Sequence, residues 1–361
     1  MKTLRNVLLI VLVMSLGQFA FASPEAARAA FERLLGGFDA VTPFRPTEGI
    51  ELEGSFPGET RDEAFSKVEA IIKDVVGPMI YPNATVSFER YSFETRGGDP
   101  RSGTKVVFTN KEGRRIVWEV KDDGSILPTG GEKRFGVEIV PAILYTKADR
   151  ERAKTMIAEL TKHGFQAEPA SSALQGHAGF SSTGPVDMLT ITERETVAQS
   201  MLVIWFFSKI EKDLIRLYDV HPDRARFAKP APQSVVDFIS GNQFDLDNTN
   251  LYQFIDSHYF YRYWALNMRA LFQFGTIEIR PLNSTTDTAQ IDQLMDLIST
   301  MVVAIKTKNP AFIQLMQDHL ETDITVEQFA DAMGIKSLQK KIRADQKIGR
   351  PIGSCSLAVG A

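Results

Sequence analysis

Apolar positions in this chain recur first at helical spacing and then at alternate residues. Pro24 to Gly36 gathers strong helix formers between an opening Pro and a closing Gly, which predicts a short helix. Ile50-Glu51-Leu52-Glu53 alternates between Gly49 and Gly54 and predicts a strand, and Arg61 to Val76 predicts a helix stopped by Gly77-Pro78. Thr85 to Phe93, Thr104 to Phe108 and Arg114 to Val120 then alternate with period two. Gly97-Gly98-Asp99-Pro100 and Asn110-Lys111-Glu112-Gly113 separate them as turns, so an antiparallel meander is expected. After turns at Asp123-Gly124 and Gly130-Gly131, Arg134 to Val140 reads as a strand and Lys147 to His163 as an amphipathic helix ended by Gly164. Thr190 to Tyr218 is the longest helical pattern; its apolar centre from Met201 to Phe207 is too short to span a bilayer and predicts a buried element. Arg262 to Phe272 and Phe274 to Ile279 read as two strands joined tightly at Gln273, and from Thr286 the pattern is mainly helical. Strands and helices interleave without repeats or a composition break, which predicts one α+β domain over residues 23–350 with a loose tail over 351–361.

Composition narrows this only slightly. With 43% hydrophobic and 24% charged residues the chain is neither disordered nor collagen-like, and 41 Lys+Arg against 45 Asp+Glu exclude a bulk electrostatic grip on nucleic acid. Cys355, the only cysteine, cannot form an internal bridge. Residues 1–22 have the three parts of a secretory signal: Lys2 and Arg5, an apolar run from Val7 to Leu16 interrupted only by Ser15, and Ala20-Phe21-Ala22 as a small-x-small cleavage site. Cleavage there predicts a periplasmic or secreted protein with no stable membrane span.

The candidate chemistry sits on strands beside glycines. Glu51 and Glu53 share a strand face and repel each other, so a covered face needs a cation or a basic group near them, whereas a solvated face needs nothing. Hard oxygen ligands of this kind suit Mg²⁺ or Mn²⁺. Glu138 is a lone acid between Val137 and Ile139, and His177 stands among glycines as a metal ligand, a phosphate contact or a structural residue. Thr276, Glu278 and Arg280 share one face of a strand, near Arg262 and Asn267 if the two segments pair. Their guanidinium groups suit a carboxylate or phosphate, or a structural ion pair with Glu278. Glu211 lies on the long helix, and Arg224 and Arg226 follow it in a basic loop that either holds an anion or is solvated. The chain has no phosphate-binding Gly-x-x-x-x-Gly-Lys loop, no Gly-x-Ser-x-Gly elbow and no His-Glu-x-x-His.

Taken in order, Gly49-x-Glu51-x-Glu53, Gly136 to Leu144, Gly176-His177, Arg262-Tyr263 to Leu266-Asn267 and Thr276 to Arg280 resemble the amidoligase family. That family belongs with glutamine synthetase and glutamate–cysteine ligase among the carboxylate–amine ligases. The resemblance implies a glutamine synthetase-like curved, mainly antiparallel sheet with helices on one face, and ATP with Mg²⁺ or Mn²⁺ as its cofactors. It implies metal ligation by Glu51, Glu53, Glu138, His177 and Glu278, phosphate or carboxylate binding by Arg262 and Arg280, and positioning by Asn267. Arg224, Arg226 and Thr276 join them as expected nucleotide contacts. The implied substrate is a small molecule or peptide bearing a carboxylate, joined to an amine through an acyl phosphate. Where the family carries a second His, this chain has Gly179. An exported, catalytically altered relative that binds a carboxylate without ATP turnover is the alternative.

Overall fold

A computed structural model describes residues 23–94, 100–129, 132–180, 193–226, 228–257 and 264–348, leaving out the side chains of 225, 226 and 257. The signal and tail expectations, Arg262 and the Arg226 side chain therefore lie outside the described residues. The elements in chain order are α1 (Pro24–Leu35), β1 (Glu48–Pro57), α2 (Arg61–Ile71), α3 (Gly77–Ile80), β2 (Thr85–Glu94), β3 (Pro100–Thr109), β4 (Arg115–Asp122), β5 (Arg134–Val140) and α4 (Lys147–Lys162). They continue with β6 (Leu174–Gly179), α5 (Arg194–Leu217), α6 (Gln233–Ser240), α7 (Leu251–Ser257), β7 (Leu266–Asn267), α8 (Ala270–Phe274), β8 (Thr276–Ile279), α9 (Thr288–Lys306), α10 (Pro310–Asp318), α11 (Val326–Met333) and α12 (Lys336–Lys347).

The eight strands form one sheet in the order β2-β3-β4-β5-β1-β6-β8-β7, and every neighbouring pair is antiparallel. The fold is α+β as expected. Alternation gives the sheet one apolar face: Ile50, Leu52, Phe56, Val106, Phe108, Trp118, Val120, Val137, Ile139, Ile277 and Ile279 are all buried. Helix α2 packs against β1 and β5, and α9 packs against β6. At Gly176 the approach of α9 is so close that a Cβ would stand 2.6 Å from Met295 Cε and 2.9 Å from Leu294 Cγ, so any side chain there must displace both. The apolar centre of α5 is buried throughout, and Phe206 meets Phe312 of α10 at 5.1 Å and Phe329 of α11 at 4.7 Å between ring centroids. Each such ring stabilises the helical C-terminal part by about 1.5–3 kcal/mol. No helix among the described residues is long and apolar enough to cross a membrane.

Two expectations are corrected. The helix from Arg61 does not stop at Gly77-Pro78 but continues through a π-helical turn over Ile72–Val76 into α3. The widened turn lets Gly77 N–H reach Ile72 O and places Pro78, which has no N–H to give, in the first turn of α3. The strand expected from Arg262 to Phe272 is also corrected over its described part: Leu266 and Asn267 pair with β8 and Trp264 makes an isolated bridge to Lys229, whereas Ala270–Phe274 is the helix α8. The reversal is made at Gly275, with φ of 73°, and not at Gln273. A short apolar run does not by itself distinguish a strand from one helical turn.

Candidate active site

Strand register alone gathers most of the singled-out residues on the polar face of the sheet. Glu53 on β1 stands opposite Glu138 on β5, and Glu138 opposite Lys121 on β4. Toward the other edge, Gly49 pairs with His177, His177 with Glu278, and Glu278 with Asn267. Residues opposite one another in antiparallel strands share a face, and so do alternate residues along each strand. Glu51, Glu53, Glu138, His177, Glu278, Asn267, Thr276 and Arg280 therefore all rise from one side, with the apolar core on the other.

Two groups form there. In the first, carboxylate oxygens of Glu53, Asp123 and Glu138 lie within 4.8 Å of one another. Glu53 Oε2 accepts from Ala173 N–H at 2.8 Å and its Oε1 accepts from Gln175 Nε2, while Lys121 Nζ donates to Glu138 Oε1 at 2.8 Å. In the second, His177 Nε2 lies 3.4 Å from Glu51 Oε1, and its Nδ1 lies 3.2 Å from Thr276 Oγ1. Asn267 Nδ2 donates to Glu278 Oε2 at 2.7 Å, and Arg280 Nη1 stands 2.8 Å from Glu278 Oε1. The structural Glu278–Arg280 ion pair weighed from the sequence is thus present.

The electrostatics follow from crowding in a dry setting. Burial, then the charges of Asp123 and Glu138, push the Glu53 carboxyl up to about 8. Burial and the Glu51 charge raise Glu138 to about 7 against the pull of Lys121. Glu51 goes the other way: burial opposes it, but His177, Lys121 and Arg280 together hold it down to about 2. Burial disfavours the charged His177 ring, yet Glu51 and Glu278 raise it above its ordinary value.

The donor set fits a hard divalent cation. His177 Nε2 and Gln175 Oε1 are buried without an aligned hydrogen-bond partner, and among the described residues Lys121, on Glu138, is the cation in direct contact with the three-carboxylate group. Such oxygen and imidazole donors are those Mg²⁺ and Mn²⁺ take. Two guanidinium groups stand beside them. Arg280 is buried with its Nε unpartnered, and Arg224, held in the 3₁₀ turn Pro222–Arg226, is buried and donates from Nη2 to Arg280 O at 3.2 Å. Arg224 is therefore not solvated, although Pro222 and Asp223 in the same turn are exposed, whereas Glu211 belongs elsewhere, buried beside Ala231 N–H at 3.2 Å.

Three residues of this face escaped the sequence reading. Asp123 was legible only as a turn residue beside Gly124, Gln175 only as a polar neighbour of Gly176-His177, and Lys121 fell one residue past the strand expected over Arg114 to Val120, which in the structure runs to Asp122. The one available clue was parity: Gln175 alternates with Gly176, and Lys121 would alternate with Val120 had the strand been extended by two residues. Gly179 is equally constrained, since a Cβ there would stand 2.5 Å from Thr47 Oγ1, leaving no room for the second His of the resembled family.

Residues 46–302 match the model of the family described as "putative amidoligase enzyme". No curated protein and no solved structure matches the chain.

Proposed function

The chain belongs to the amidoligase family, and from that premise we propose that it is an ATP- and Mg²⁺-dependent carboxylate–amine ligase. The observation that carries the proposal is the convergence of five metal-type ligands and two buried guanidinium groups on one sheet face. In the proposed reaction a substrate carboxylate oxygen attacks the γ-phosphorus of ATP and ADP leaves. An amine then attacks the acyl phosphate, phosphate departs with the acyl–oxygen bond, and the amine proton passes to solvent or to a nearby base. Phosphoryl transfer of this kind depends on positioning and charge stabilisation more than on covalent help.

The residues divide the work accordingly. Glu51, Glu53, Glu138, His177 and Glu278 would hold the divalent cations, which supply charge for the nucleotide phosphates. Thr276 orients His177 through Nδ1, and Asn267 fixes one oxygen of Glu278. Arg280 and Arg224 present positive charge to phosphate or to the substrate carboxylate, and we assign Arg262 and Arg226 the same task from the resemblance. A glutamine synthetase-like curvature of the sheet and export of the mature chain belong to the same proposal.

The test is nucleotide-dependent phosphate release with Mg²⁺ across panels of amino acids and short peptides. Release should require metal, acid and amine together, and Glu278→Ala should lower it by about a hundredfold or more. A wild-type protein that binds neither nucleotide nor metal overturns the proposal. The packed Gly179 supports a second reading, an altered relative that captures a carboxylate. Metal-independent binding without turnover would favour it.

A further inference from the structure

We infer that Glu168 is a positioning residue for the cation site: it ties the turn over 123–129 to β1 and so keeps Asp123 beside Glu53 and Glu138. The inference rests on the cation site of the proposed ligase and not on its reaction.

Asp123 differs from the other acids of the polar face in lying just past the end of β4, so strand register alone does not fix where its carboxylate goes. The turn it opens is folded onto β5. Gly136 is the register partner of Ser55, in the row next but one to Glu53 and Glu138, and accepts from Asp123 N–H at 3.2 Å. A Cβ at Gly136 would stand 2.1 Å from Asp123 O and 2.8 Å from Ile126 Cβ, so its absence is what lets the turn lie on the polar face. Ser125 N–H and Oγ both donate to Asp123 Oδ1, at 2.8 and 2.6 Å. The carboxylate is thus fixed to the turn and goes where the turn goes.

What holds the turn down is a wholly buried carboxyl that divides its oxygens between two segments. Glu168 Oε1 accepts at 2.5 Å from Oγ of Ser55, two residues beyond Glu53 on β1 and on the same side. Its Oε2 accepts from Thr129 N–H at 3.0 Å and from Thr129 Oγ1 at 2.7 Å. A side chain bonded to both segments sets the separation between them. Glu168 is itself fixed, since its N–H donates to Ser172 Oγ at 3.0 Å and Ser172 Oγ donates to Glu168 O at 2.8 Å. The connection it stands on reaches both partners: Ser171 Oγ accepts from Leu127 N–H at 2.9 Å, and Ala173 N–H donates to Glu53 Oε2 at 2.8 Å. Burying a carboxyl disfavours folding unless hydrogen bonds answer it, and here the bonds that answer it are those that hold the turn of Asp123. A group that only stabilised the fold would act alike with and without Asp123; a positioning residue acts through it.

The test is a double-mutant cycle on the full chain, read as Mn²⁺ affinity by calorimetry. Glu168→Leu should weaken Mn²⁺ by about tenfold, and Glu168→Gln, which keeps an acceptor for Thr129, by less than about threefold. In an Asp123→Asn background Glu168→Leu should change the affinity by less than about twofold. With metal chelated, Glu168→Leu should also speed hydrogen exchange in the peptide over 123–129. Where Glu168→Leu does not fold, Ser171→Ala combined with Thr129→Val frees the same turn and should weaken Mn²⁺ by about fivefold, again only where Asp123 is present. Unchanged Mn²⁺ affinity in the folded variants, unchanged exchange in the turn, or an undiminished loss in the Asp123→Asn chain overturns the proposal. A wild type that binds no Mn²⁺ overturns it together with the ligase reading. The expected cycle in a protein that releases no phosphate supports it and refutes the ligase alone.

Discussion

Glu53 ties the chemistry of the polar face to a measurable stability. Its carboxyl ionises at about 8 in the fold, against an ordinary 4.5, chiefly because it is buried and then because Asp123 and Glu138 repel its charge. Between these values the unfolded chain has released the proton and the folded chain retains it, so unfolding becomes easier as pH rises. The stability is fully present below about 4.5, declines through the neutral range and levels off above about 8. Taken at face value the difference is worth at most about 5 kcal/mol. The hydrogen bonds from Ala173 N–H and Gln175 favour the ionised form and make this an upper bound. Glu138, raised to about 7, acts in the same direction but is coupled to its neighbours, so the two contributions do not add. Thermal unfolding in chelator should therefore show a midpoint lower at pH 8.5 than at pH 5.5, by about 5–10 °C. Glu53→Gln should flatten that slope. Mn²⁺ should restore the wild type at pH 8.5 and do little at pH 5.5, where it must displace protons. Equal slopes in wild type and variant, or an Mn²⁺ shift independent of pH, would refute the electrostatic account.

Other outcomes follow from single contacts. Gly176→Ala must push aside Leu294 and Met295 and should cost about 1–3 kcal/mol in urea unfolding; an unchanged midpoint would show that α9 can move away from β6. Burial pushes Glu211 up to about 8 and leaves its Oε1 unpartnered, so it is a neutral acid at pH 6. Glu211→Gln should match the wild type within about 0.5 kcal/mol at or below about pH 4 and escape the loss of stability that the wild type shows between about 4.5 and about 8, as pH-dependent unfolding would reveal. Arg150 joins Glu48 at 2.6 Å, Asp296 at 2.6 Å and Asp292 at 3.7 Å. Arg150→Met should cost about 2–3 kcal/mol, less in 1 M salt, and equal losses in low and high salt would argue that packing alone is involved.

Much of the sheet was legible because its cause is local. Alternation of Ile50, Leu52 and Phe56 with Glu51, Glu53 and Ser55 is written into consecutive residues, and it alone places both carboxylates on one side. The same holds for Thr276, Glu278 and Arg280, and for the apolar centre of α5. Where two local preferences balanced, the reading failed. Ala270–Phe274 is short, apolar and compatible with either state, and the choice fell to Gly275, whose left-handed φ closes a helix. Pro78 likewise looked like a stop, until the π turn before it removed the demand for its missing N–H.

The site itself belongs to both levels. Periodicity and residue chemistry picked out Glu51, Glu53, Glu138, His177 and Glu278 as candidates, because side-chain alternation needs no knowledge of neighbours. That they stand together was decided by the strand order β5-β1-β6-β8, which sets Glu53 against Glu138 and His177 against Glu278 across long stretches of chain. The same long-range pairing brought in Asp123, Lys121 and Gln175, and lowered Arg224 out of an apparently solvated loop onto Arg280. Local sequence sets which way a side chain points; only register and packing between distant segments set what it meets there and how much water remains, and those two quantities govern every charge on this face.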